Sequence, residues 1–252
     1  MVRQEDRLYP YVIPGWPYLT TFGVMMVAGV FVGATMTGRS LEPRGFTRDD
    51  GFSLAMWGLV GGILGAKLWF VAENVARDGD LMSSLFSRGG LTWFGGFVGG
   101  LLFGVIGARK LKIPLATAFN AVAPGLAVGQ ALGRVGCFLV GDDWGKPSDV
   151  PWAVAFPKGI DPVKHPVHPT QLYEVVCLLP VAWLLWKRRE RSPFLFGEYL
   201  IFAGLGRLWI EVYRKNPTLL GPLTNAQLTA LGLIAVGLVS WFYFQRRREA
   251  SA

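Results

Sequence analysis

Charge is scarce in this sequence. Only 17% of its 252 residues are Asp, Glu, Lys or Arg, whereas a water-soluble domain carries about 25% because its surface must be wetted. Cysteine is scarcer still. Cys137 and Cys177 are the two present, too few to build a disulfide scaffold. An apolar fraction of 52% excludes a disordered chain. What fills the space is glycine, 33 residues, and tryptophan, 10 residues, and the mean hydropathy is +0.37. Both residue types are favoured in membrane helices and at their edges. The composition points to a multi-span membrane protein. The N-terminal stretch MVRQEDRLYPYVIPGWPYL shows no basic run, short apolar core and small-residue cleavage site in succession. It is not expected to be a cleaved signal peptide.

A helix crosses the hydrocarbon layer with about 20 mostly apolar residues. Seven segments qualify, near 18–37, 53–73, 91–108, 114–136, 171–187, 194–213 and 223–244. They are continuous apolar runs, so helices are expected and not the alternating strands of a barrel. Thirteen Lys and Arg residues follow the odd-numbered segments, in clusters such as Arg109-Lys110, Lys187–Arg189 and Arg246–Arg248, against nine on the other side. Cytoplasmic loops collect basic residues. The expected fold is therefore an all-α integral membrane protein of one domain, residues 1–252, with seven transmembrane helices. Its N-terminus is expected outside and its C-terminus in the cytoplasm. The longest polar stretch, 139–169, is expected as a small periplasmic head segment between spans four and five. The net charge of +8 is then mainly a loop bias that sets orientation, which removes nucleic acid as a partner. Membrane lipids are the expected surroundings, and no metal or cofactor is expected.

Lys67, Arg134, Glu174, Arg207 and Glu211 fall inside or at the edge of the apolar segments, where charge is costly unless it faces a cavity or a partner. Arg207, Glu211 and Arg214 are spaced to share one helix face. Arg134 has no acid within its own segment, but Asp142 and Asp143 follow it. The planar fork of arginine suits phosphate, and an anion site at membrane depth suggests a phospholipid head group.

Two stretches carry most of the remaining polarity. Residues 133–145 read GRVGCFLVGDDWG and residues 168–174 read HPTQLYE. The first has the glycine content of a helix giving way to an irregular turn. In the second, Gln171 and Glu174 face the same way from the start of span five. Together with GLGRLWIEVYR at 204–214, followed by Lys-Asn-Pro, GAKL at 65–68 and GGLTWFGGFVGG at 89–100, these stretches resemble the prolipoprotein diacylglyceryl transferase family, in order and over most of the chain.

The resemblance implies a reaction. The diacylglyceryl group of phosphatidylglycerol passes to the lipobox cysteine thiol of a prolipoprotein signal peptide, and glycerol phosphate leaves, at the bacterial cytoplasmic (inner) membrane. It implies that Arg134, Arg207, Glu211 and Asp142 form the catalytic set, with both arginines on the phosphate and Glu211 orienting Arg207. Gly133, Gly136, Gly141, Gly145, Lys67, His168, Gln171, Tyr173, Glu174 and Arg214 are implied at the substrate.

The sequence departs from the family pattern at several site positions. Phe94 stands for a histidine, Cys137 and Val140 for asparagines, Lys67 for an arginine, and Phe22 and Ala203 for tyrosines. Asp142, Glu211 and His168 remain as candidate bases. Transfer of a lipid moiety to another acceptor, and lipid binding without catalysis, stand beside the main reading.

Overall fold

The computed structural model describes residues 11–12, 20–78, 81–86 and 92–250. Residues 1–10 and 13–19, on which the expected outer N-terminus falls, and the start of the third apolar segment at 91, lie outside the described residues. The described chain is mostly helical. The helices are α1 (Thr21–Leu41), α2 (Arg48–Asp78), α3 (Leu81–Phe86), α4 (Trp93–Lys110), α5 (Leu115–Val140), α6 (Thr170–Arg188), α7 (Leu195–Glu211) and α8 (Asn225–Glu249). Each of the seven apolar segments falls on one of these helices, and α3 is an additional short one. Among the described residues, α1, α2, α5 and α8 are long and apolar enough to cross a membrane. The chain is a helical membrane protein. α7 has only 17 residues, and α6 carries Glu174 as well as Lys187 and Arg188.

The chain divides at Gly33 and Ala123 into two compact units. Residues 34–122 form one unit. Here GLVGGILG on α2 meets GGFVGG on α4, backbone against backbone. A Cβ on Gly65 would stand 2.3 Å from the Gly95 carbonyl oxygen, and one on Gly99 would stand 2.2 Å from that of Gly61. Glycine allows this approach where lipid gives helices no hydrophobic reason to associate. Leu41, Leu54, Ala108 and Ile113 are buried at the core of this unit.

The other unit holds the rest of the described chain. Ala123, Ala127, Ala182, Leu185 and Leu195 form its core, uniting α5, α6 and α7. The α8 helix begins with a capping box: Thr224 Oγ1 accepts from the Gln227 N–H, and the Gln227 side chain accepts from the Thr224 N–H.

The segment expected as a head region contains regular structure. Strands β1 (Val154–Phe156) and β2 (Val163–Val167) pair antiparallel over Phe156, Val163 and Val167, with Phe138 and Trp144 packed against them. A second small pair, β3 (Thr218–Leu220) with β4 (Leu223–Thr224), links α7 to α8. Both hairpins add strands to a fold expected to be purely helical. They are too short for composition to announce them.

Candidate active site

The site grows from the exit of α5. Gly141, just past the helix, has φ +71°, a left-handed conformation that glycine adopts without steric penalty. The chain then turns back across the ends of α6 and α7. Gly145 is wedged there: a Cβ would stand 2.6 Å from the Tyr213 carbonyl oxygen and 2.7 Å from Thr170 Cγ2. Its N–H donates to the His168 carbonyl, and the Lys146 N–H donates to that of Tyr213. The GDDWG stretch is thus tied to both the HPTQLYE stretch and the end of α7.

This path gathers the charged residues scattered in sequence. Arg134 Nε lies 2.6 Å from Glu174 Oε2. Arg207 Nη1 reaches the other oxygen of the same carboxylate, Oε1, at 3.2 Å. The two arginines read as phosphate ligands therefore converge on one buried glutamate. Arg207 also pairs with Glu211 at 3.0 Å, across one helical turn. Glu211 is almost wholly buried and accepts further hydrogen bonds from Thr224 Oγ1 at 2.6 Å and from Asn216 Nδ2 at 2.8 and 3.0 Å. A carboxylate so fully engaged positions Arg207 and is poorly placed to take a proton.

Arg214 departs from the expected helix-face ladder. The α7 helix ends at Glu211 and tightens into i→i+3 turns, with the Arg214 N–H donating to the Glu211 carbonyl. Its guanidinium turns instead to Asp143. It pairs with the carboxylate and donates to the main-chain carbonyl at 3.0 Å. Arg134 pairs with the other carboxylate oxygen of Asp143. Of the two acids that follow Arg134 in sequence, Asp143 is the one that pairs with it. The backbone flips at this residue to φ +62°, which aims its side chain back at the helices. Burial works against its charge, but the hydrogen bond from Arg214 and the Arg134 guanidinium hold its pKa at about 2.

Asp142 has a different environment. Its Oδ1 is buried without a hydrogen-bond partner among the described residues. Burial pushes its pKa up, against the hydrogen bond from Cys137. Gln171 donates to the Asp142 main-chain carbonyl. His168 Nδ1 lies 2.9 Å from the Tyr173 hydroxyl, to which Trp152 also donates at 2.7 Å. The His168 and Tyr173 rings pack on Tyr213. These contacts brace the turn and leave His168 engaged. A Cβ on Gly133 would meet Met26 Sδ at an ordinary 3.9 Å, while Gly136 lies against Phe22 and Met25 of α1. Lys67 belongs to the other unit, with Nζ 5.2 Å from the Phe70 ring centroid.

Glu174 and Arg207 line a small recess between α5, α6 and α7, whose further walls include Leu178, Val181, Phe202 and Ala203. It is charged at one end and apolar two turns away. Sequence reasoning named Asp143 beside Asp142 as an acid following Arg134, and missed Asn216 and Thr224 as members of this set. Asn216 stood in the Lys-Asn-Pro that follows the α7 pattern, and the Thr-x-x-Gln box at 224–227 marked a helix start that brings Thr224 to Glu211.

Residues 13–243 match the family model described as prolipoprotein diacylglyceryl transferase. The chain belongs to the prolipoprotein diacylglyceryl transferase family. It is 34% identical to the phosphatidylglycerol–prolipoprotein diacylglyceryl transferase of Geobacter sulfurreducens, over 90% of this chain and 91% of that protein. It is 32% identical to the protein of the same name in Acaryochloris marina, over 90% of this chain and 87% of that protein. The Clostridium tetani relative is 29% identical over 86% and 90%. Phe94 on α4 is half-exposed, and its side chain offers no proton acceptor.

Proposed function

We propose that this chain transfers the diacylglyceryl group of phosphatidylglycerol to the thiol of a lipobox cysteine in a prolipoprotein signal peptide. The observation that carries this reading is the convergence of Arg134 and Arg207 on Glu174 at the mouth of an amphipathic recess. The phosphodiester lies against the guanidinium groups, and acyl chain follows the wall of Leu178, Val181 and Phe202. The acceptor sulfur, as thiolate, attacks the glycerol carbon bonded to the phosphate oxygen. A carbon–sulfur bond forms, the carbon–oxygen bond breaks, and glycerol phosphate leaves with the electron pair. The arginines stabilise the charge that develops on the leaving group.

Asp142 takes the thiol proton. Its buried Oδ1 has no hydrogen-bond partner among the described residues, and a raised pKa makes a carboxylate the stronger base. In this reading the 252 residues form one membrane domain of seven spans in the bacterial inner membrane. The N-terminus and residues 139–169 lie on the periplasmic side, and Lys67 and the motif glycines serve the substrate.

The test is turnover by purified protein in phosphatidylglycerol vesicles with a lipobox peptide, following glycerol phosphate release and peptide mass together. The expected result is equal release and modification, both falling by about 10²–10³-fold in Arg134→Ala and Arg207→Ala. Release without peptide modification would establish a different acceptor, a reading that Phe94 and Val140 favour by remodelling the reacting centre. Saturable lipid binding without turnover would leave a non-catalytic lipid-binding protein.

A further inference from the structure

Three arginines and three carboxylates make up the cluster, and every arginine is already paired. Arg134 holds Asp143 and Glu174, Arg207 holds Glu174 and Glu211, and Arg214 holds Asp143. The set is electrically balanced before any phosphate joins it. An incoming anion must therefore share these donors or displace a carboxylate, and the three carboxylates differ in how readily they can leave. Glu211 has 1% of its side chain exposed and accepts from Arg207, Thr224 and Asn216. Glu174 is 7% exposed and holds two arginines from within α6. Asp143 is 33% exposed and stands on the turn after α5.

The geometry of Asp143 is that of a substitute for phosphate. One carboxylate oxygen faces Arg134 and the other faces Arg214, as the two non-bridging oxygens of a phosphodiester would. Its main chain is secured independently, because its carbonyl accepts from Thr170 Oγ1 at 3.0 Å and from Arg214 Nη1 at 3.0 Å. When the side chain rotates away, Arg214 keeps the carbonyl and Arg134 keeps Glu174. Neither cation is left without a partner in a poorly solvated place, which is the usual cost of breaking such a pair.

We propose that Asp143 is an exchangeable internal anion: its carboxylate yields Arg134 and Arg214 to the phosphate of the donor lipid and returns to them as glycerol phosphate leaves. The inference rests on the phosphate-binding role assigned above to Arg134. Asp143 acts through the arginines and is a positioning residue. Its return keeps the leaving product from lingering on the cations, so the exchange trades affinity for release.

The test uses the full chain in nanodiscs, with glycerol phosphate as the probe and phosphatidylglycerol as the donor. In Asp143→Asn, glycerol phosphate binds about tenfold more tightly, the scale of one charge-assisted contact no longer competed for. KM for the lipid falls, and kcat falls because product release slows. Asp149→Asn removes an exposed charge from the same segment and leaves binding unchanged. Weaker glycerol phosphate binding with a raised KM in Asp143→Asn would overturn the exchange, leaving Asp143 a fixed brace. Tightening of equal size in Asp149→Asn would also overturn it, by making the effect one of general charge. If Arg134→Ala binds the probe as well as the unaltered protein does, the phosphate site itself is wrong and the exchange falls with it. Should Asp143→Asn fold poorly, Asp143→Ala supplies a second reading. Added glycerol phosphate then raises its Tm more than that of the unaltered protein, and the absence of such rescue would also overturn the proposal.

Discussion

Two ion-pair clusters, each built on a buried glutamate, sit in the same unit of this protein and behave differently. At one, Arg188 grips Glu198 through two parallel bonds of 2.8 Å each, and Ser192 and Trp241 complete the carboxylate at 2.7 and 3.3 Å. That cluster ties the end of α6 to α7 and α8, with one cation for one anion. At the other, Glu174 and Asp143 are each divided between two arginines, and the cluster opens on the recess. A closed pair spends its donors on structure. Shared pairs leave each cation only partly satisfied by any one carboxylate, so an outside anion can enter.

The sharpest way to break this contrast is to replace arginine by lysine at each cluster. Lysine keeps the charge but loses the planar fork. Arg134→Lys is expected to lower turnover by about 10²-fold, whereas Arg188→Lys leaves turnover per folded molecule unchanged. Steady-state rates normalised to folded protein distinguish the two, and a comparable loss at both positions would dissolve the distinction.

Glutamine at each central carboxylate has a smaller effect on two axes. Glu174→Gln is expected to cost roughly 2–3 kcal/mol of stability by leaving two poorly solvated guanidinium groups underpaired, and Glu198→Gln less, because the Arg188 side chain is 45% exposed and water takes over its charge. Only Glu174→Gln should also change the salt dependence of lipid binding. Thermal unfolding beside vesicle binding at several ionic strengths reads both.

The smallest expected effect is in pH. Asp143 is held at about 2, below its ordinary 3.8. A carboxylate with a depressed pKa stabilises the fold above its unfolded pKa, and that contribution is lost as pH falls through its folded one. Roughly 1–2 kcal/mol, after solvent screening, should disappear between about pH 4 and about pH 2. Asp143→Asn should lack that part of the acid transition, and Glu198→Gln should retain it. Asp142 has the opposite sign, because burial favours its protonated form and its own contribution weakens as pH rises.

Much of the helical order was legible because apolar length is a local property. GPLTNAQLTALGL carries the start of α8 in Thr224 and Gln227, and the glycines at 58–65 and 95–100 mark the faces on which α2 and α4 meet. The ionisable residues inside apolar runs were legible for the same reason, since Arg134, Glu174 and Arg207 stood out against their neighbours. Local spacing also matched Arg207 with Glu211 and set Asp143 near Arg134, but it could not show Glu174 shared by both arginines. Helical spacing placed Arg214 on the face of Glu211, but a tightened turn at the end of α7 sent it to Asp143. Motif alignment favoured Asp142, yet a positive φ at the next residue turned Asp143 to the arginines.

By itself, then, the sequence determined the membrane class, the helical segments, the family and the few charges that had to be accommodated within it. Those follow from composition and from patterns a few residues long. Tertiary structure alone decided that Glu174 is shared by Arg134 and Arg207, and that Asp143 is shared by Arg134 and Arg214. Such pairing depends on chain segments up to 71 residues apart, as Arg214 and Asp143 are. It depends also on single backbone turns, such as those at Gly141 and Asp143, that set where a short side chain can reach.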